Sequence, residues 1–114
     1  MKITSKQINQ AMVISINGSI DALTANEVSE FFMRQINNDH NKLVADLNQV
    51  DFMSSAGLRT LLATLKESRQ QGGDLRLAAP QPGVEKILKI SGFTSILKAF
   101  PSVNEAVTSF NSRK

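Results

Sequence analysis

Strand-like apolar runs alternate along this chain with stripes of helical period, and that alternation restricts its fold more than any other feature. Residues 12–16, 43–47 and 75–79 are short and mostly apolar, the pattern of strands buried in a parallel sheet. After each comes a stretch whose apolar residues recur three and four apart. These are Val28, Phe31, Phe32 and Ile36, then Leu58, Leu61, Leu62 and Leu65, then Val84, Ile87 and Leu88. Each stripe marks the side of a helix that faces a core. Residues 3–8 alternate loosely and predict an edge strand, with Asn9-Gln10 as the turn into the next. Residues 96–100 predict a last short strand. A final helix then carries Val103, Ala106, Val107 and Phe110 on one face.

The predicted order is β-β-α-β-α-β-α-β-α, with helices beginning near Thr24, Ser55, Gly83 and Ser102. Strands alternating with helices imply parallel pairs joined by right-handed crossovers. The expected class is therefore α/β: one domain over residues 1–114, with a mixed or mostly parallel sheet of four to five strands and helices packed on one face. An apolar fraction of 41% in 114 residues supports one core rather than two. Local punctuation agrees with the boundaries. Thr24 and Glu27 have capping-box spacing, and Gly72-Gly73 closes the second helix as a C-cap.

Composition removes several chemistries. With no cysteine and a single histidine, His40, thiolate and multi-histidine metal sites and cysteine nucleophiles are excluded. His40 falls in a polar helix-to-strand loop, so a Ser-His-Asp arrangement is not expected. Neither a metal nor another cofactor is expected. The net charge is +3, but acids and bases are interspersed except in the tail Ser112-Arg113-Lys114, and Trp and Tyr are absent. Nucleic-acid binding is not expected without a basic stripe and stacking platforms. No apolar run suits a membrane span, and the first residues lack the apolar middle of a signal peptide. A cytoplasmic protein without membrane insertion is the expectation.

Three places offer polar residues for chemistry. Met53-Ser54-Ser55-Ala56-Gly57-Leu58 stands at a strand-to-helix junction. A serine there can cap the unpaired N–H groups of the first turn. Those groups and the helix dipole also favour an anion, so an exposed serine could carry a phosphate. Gly18-Ser19-Ile20-Asp21 precedes the first helix, where Asp21 is either a turn residue or an exposed acid at the same end of the sheet. Asp46 and Asp51 form a pair in sequence, but no Lys, His or nucleophile completes an acid–base site around them.

These segments resemble the STAS-domain family, in particular the free-standing anti-sigma factor antagonists of bacteria. The resemblance spans nearly the whole chain. It rests on Gly18-Ser19-Ile20-Asp21, on residues 51–59 with the serine motif, on Gln71-Gly72-Gly73-Asp74-Leu75-Arg76-Leu77, and on Ile90-Ser91-Gly92-Phe93. It implies a non-enzymatic binding module with a partner cycle. The unphosphorylated antagonist binds an anti-sigma factor that is also a serine kinase of the histidine-kinase-like ATPase type, and so acts on transcription indirectly. The kinase phosphorylates the antagonist, which lets go, and a metal-dependent serine phosphatase resets it. By motif the acceptor is Ser55, with Ser54 as second choice, and Asp21 matches an acid of kinase recognition. The expected partner surface is Asp21, Ser54, Ser55, Gly57, Arg59 and Thr60, on a monomer or weak dimer. The motif departs from the common family pattern at two positions: Ser54 stands where Asp is frequent, and Ala56 where Ser or Thr is frequent. The rival readings are a STAS subunit of another complex, such as a lipid-transport assembly, and a small-ligand or nucleotide sensor.

Overall fold

A computed structural model describes residues 1–111; the basic tail lies outside them. Five strands form one sheet in the order β1-β2-β3-β4-β5, which is also chain order. They are β1 (Lys2–Ile8), β2 (Ala11–Asn17), β3 (Lys42–Gln49), β4 (Asp74–Ala78) and β5 (Ala99–Phe100). β1 runs antiparallel to β2, from Lys2 opposite Asn17 to Ile8 opposite Ala11. The two-residue connection is the expected Asn9-Gln10, and Asn9 takes the left-handed conformation that such a turn needs (φ 54°). β2, β3, β4 and β5 are mutually parallel. The helices are α1 (Ala25–Asn37), α2 (Ser55–Gln70), α3 (Pro82–Ile90) and α4 (Val103–Thr108). The mixed α/β sheet and the predicted element order are both observed.

Because each parallel strand lies next to its predecessor, every crossover moves in the same direction across the sheet. Right-handed connections of that kind put their helices on one face. α1, α2 and α3 accordingly share one core with Met12, Ile14 and Ile16 of β2, Leu43, Ala45 and Leu47 of β3, and Leu75 and Leu77 of β4. Phe32, fully buried, is the largest side chain of that layer. The alternate strand residues Ala11, Val13, Val44 and Ala78 point to the other face and form a second cluster with Ala106 and Val107 of α4. Helices on one face only, as expected from the sequence, is thus corrected. α4 follows the last strand and is no crossover, so handedness does not bind it. The central strands are apolar on both faces and require a cover on each.

Three smaller corrections concern the ends of the pattern. The last strand is shorter than residues 96–100: Phe93–Ser95 form a 3-10 turn, and only Ala99 and Phe100 pair with β4. Leu62 is half-buried at the margin of the core, whereas Leu58, Leu61 and Leu65 are buried. The buried arc of α2 includes Thr60, Thr64 and Ser68 instead. Two of these hydroxyls are satisfied within the helix, Thr64 Oγ1 donating to the Thr60 carbonyl and Ser68 Oγ to the Leu65 carbonyl, both at 2.9 Å. The C-terminus of α2 matches the expectation in detail. Gly72 has φ 88°; its N–H donates to the Arg69 carbonyl and that of Gly73 to Ser68, the paired bonds of a Schellman motif.

Candidate functional site

The loops after β2 and after β3 are joined edge to edge. Ile20 N–H donates to the Phe52 carbonyl and Ser54 N–H to the Ile20 carbonyl, both at 2.9 Å. The two make an isolated parallel bridge between Ile20 and Met53. Gly18 N–H reaches the Gln49 carbonyl, and Ser19 Oγ donates to Asp51 Oδ1 at 2.8 Å. Thus the chain brings the Asp21 loop and the serine motif together at the carboxyl ends of adjacent parallel strands, where α/β folds place their sites.

Ser54 is the N-cap of α2, extended in backbone, and its hydroxyl accepts from Gly57 N–H at 3.3 Å. Ser55 is the first helical residue and is exposed. α2 has no acidic side chain in its first turn, so the positive end of its dipole faces the Ser55 region without a local carboxylate on that turn. Asp21 is a half-buried turn residue. Its Oδ1 accepts from Leu23 N–H at 2.9 Å and Thr24 N–H at 3.2 Å. The capping-box role of Thr24 is not observed. Its hydroxyl instead donates to the Ser19 carbonyl at 2.7 Å and accepts from Asp21 N–H.

Two of the residues expected at the partner surface are buried in this structure. Gly57 is buried against the bridge: a Cβ on it would stand 2.8 Å from the Ile20 carbonyl oxygen and 2.9 Å from Met53 Cγ. Its role is to let α2 approach the neighbouring loop. Thr60 is only 8% exposed and belongs to the packed side of the helix. Arg59 is exposed, as expected. Asp46 and Asp51 take separate partners: Asp46 accepts from Ser15 Oγ and Asn48 N–H, and Asp51 from Ser19.

Sequence reasoning overlooked two exposed apolar side chains in the loops that meet at the serine turn. Leu23 is 92% exposed and Phe52 50% exposed. Both lie in loops, outside any helical or strand period, so periodicity gave no signal for them. Exposed apolar side chains such as these lose unfavourable contact with water when another surface covers them. Among the described residues no helix is long and apolar enough to cross a membrane.

This fold and this site define a class: a small α/β module whose distinctive feature is a strand-to-helix turn that presents an exposed serine. The chain belongs to the STAS domain family, whose profile matches residues 2–106. It is 32% identical over 110 residues to BtrV of Bordetella bronchiseptica, named as an anti-sigma factor antagonist, covering 96% of this chain and 95% of that protein. The crystal structure of a Thermotoga maritima protein similarly named superposes with TM-score 0.91 at 21% identity, over 96% of this chain and 95% of that one. Unphosphorylated SpoIIAA, an anti-sigma factor antagonist, superposes with TM-score 0.82 at 18% identity over 99% of both chains. Its phosphorylated form, from Bacillus, gives 0.73, over 96% of this chain and 99% of that one.

Proposed function

We propose that this protein is an anti-sigma factor antagonist, a non-catalytic switch that is the substrate of a kinase. Its unphosphorylated form binds an anti-sigma factor that is also a serine kinase of the histidine-kinase-like ATPase type, which frees a sigma factor. The kinase transfers the γ-phosphoryl group of ATP to Ser55 Oγ. A P–O bond of ATP breaks, ADP leaves, and the hydroxyl proton passes to a base of the kinase or to solvent. A serine phosphatase hydrolyses the phosphoester and restores the binding form. BtrV carries the corresponding name, and SpoIIAA exists in both phosphorylation states.

One observation carries the choice of residue. Of the two adjacent serines, Ser54 commits its hydroxyl to the helix cap, while Ser55 is exposed and has no side-chain hydrogen bond among the described residues. The docking surface then comprises Ser55 and Arg59 with the apolar Leu23 and Phe52, and Asp21 acts by shaping its loop. Mass spectrometry after incubation with the kinase and ATP tests the assignment. One phosphate on Ser55 is expected, retained in Ser54→Ala and lost in Ser55→Ala. A phosphate on Ser54, or none on either, contradicts it.

A further inference from the structure

The outward side of α2 continues well beyond the serine turn and has its own character. Ser55, Arg59, Leu62, Lys66 and Arg69 follow one another at intervals of three and four. At about 3.6 residues per turn they share one side of the helix. Arg59, Lys66 and Arg69 are exposed. Among the described residues neither Arg59 nor Lys66 has a carboxylate partner, and only Arg69 is paired, with Asp74. At the C-terminal half of this face an open groove of about 440 Å³ is lined by Leu62, Leu65, Lys66, Arg69, Gln70 and Ile96. Its floor is apolar, and Ile96 is left 42% exposed. Arg69 fixes the groove's far wall. It donates to Asp74 Oδ1 at 3.0 Å from Nε and to the Ile96 carbonyl at 3.4 Å from Nη2.

We propose that this groove seats an acidic amphipathic segment of a protein partner, an apolar side chain entering between Leu62 and Ile96 while carboxylates lie along Arg59 and Lys66. Charge complementarity selects this occupant, because an apolar slot bordered by cations favours a partner with the reverse border. A second copy of this chain is disfavoured on the same ground, since a two-fold contact would set like charges against each other. The groove begins seven residues after Ser55, about 10 Å along the axis, so a phosphate on Ser55 is not in it. The segment is assigned to the partner that docks at the serine turn, and to that extent the inference rests on the reading above.

The test uses the full-length protein and three synthetic peptides of one helical design. One has a Leu stripe flanked by Glu, one has the Leu replaced by Ser, and one has the Glu replaced by Lys. Binding is followed by amide NMR shifts. The first peptide should bind at least tenfold more tightly than either control, with shifts concentrated at residues 59–70 and 96. Ile96→Ser and Lys66→Glu should each weaken it about tenfold with unchanged melting temperature. Equal binding of all three peptides, shifts centred elsewhere, or self-association abolished by Ile96→Ser overturns the proposal. Phosphorylation of Ser55 by the kinase, measured in parallel, separates the two readings. Normal phosphorylation without peptide binding removes the groove and leaves the switch, and peptide binding without phosphorylation does the reverse.

Discussion

The backbone N–H of Gly57 donates to the hydroxyl of Ser54, so one serine of the pair is held by its own helix while the next is left exposed to solvent. The consequence is measurable. Ser54→Ala removes the N-cap of α2 and should cost about 1 kcal/mol, lowering the melting temperature by a few degrees. Phosphorylation of Ser55 should persist. Unchanged stability in Ser54→Ala would show that the cap contributes nothing.

Gly57→Ala acts on the other end of the same bond. Its new methyl group would meet the Ile20 carbonyl oxygen at 2.8 Å and Ile20 Cγ2 at 2.9 Å. That carbonyl is held in place by Ser54 N–H, so it cannot retreat without opening the bridge between the loops. Overpacking of this kind costs about 1–3 kcal/mol. Urea denaturation should show the loss, and amide shifts at residues 20–24 should report displacement of the Asp21 loop. A variant as stable as the parent, with unmoved shifts, would refute the close approach.

The leucine stripe of α2 separates what periodicity reveals from what it does not. Leu61→Ala empties a fully buried site and should cost about 2–5 kcal/mol. Leu62→Ala, at the half-buried margin, should cost clearly less in the same denaturation experiment; equal losses would place Leu62 in the core. A spacing of three and four residues identifies which side of a helix is apolar, and it located α2 within a residue at its start. It does not tell how wide the buried arc is. The arc here extends over Thr60, Thr64 and Ser68, and the hydroxyls of Thr64 and Ser68 find acceptors one turn back. In a sequence such residues look like a solvated face. The second apolar layer under α4 was written in the strands, whose inward and outward residues are both apolar, but chain order alone does not reveal which face a helix outside a crossover will cover. At the site, the serine motif was legible because it breaks the apolar pattern at a junction. The separate duties of Ser54 and Ser55 depend on the helix starting at Ser55 rather than Ser54, a one-residue matter beyond periodicity. Leu23 and Phe52 were invisible because they lie in loops, outside any helical or strand period.

Arg76 links the second layer to the sheet. Its Nε donates to Asp74 Oδ2 at 3.0 Å, its Nη1 to Ser109 Oγ at 2.8 Å, and its guanidinium stacks on Phe110 at 4.0 Å from the ring centroid. α4 has six residues and buries only Ala106 and Val107 fully; a helix this short depends on its tertiary contacts. Arg76→Leu should cost about 1–2 kcal/mol. Hydrogen exchange should accelerate at residues 103–108 while α2 is little affected. Protection in α4 equal to that of the parent would mean that the apolar contacts alone hold it.

Phosphorylation of Ser55 should act on docking rather than on folding. The first residue of α2 sits at the positive end of the helix dipole, where a negative group is favoured by about 0.3–1 kcal/mol at an exposed position. The modified domain should therefore match the unmodified one in melting temperature and in backbone shifts away from residues 54–58. The same phosphate brings about −1.5 to −2 charges to a surface that offers Leu23 and Phe52 for burial. A partner that covers those residues must strip water from the phosphate. Left unpaired, a buried ion of this kind costs several kcal/mol, and about 4 kcal/mol already corresponds to a thousandfold loss of affinity. Titration calorimetry of both forms against the kinase, together with their thermal melts, decides the matter. A large loss of affinity at constant stability is the expected result. Melting of α2 on phosphorylation would instead make the switch conformational, and equal affinity of the two forms would remove Ser55 from the interface.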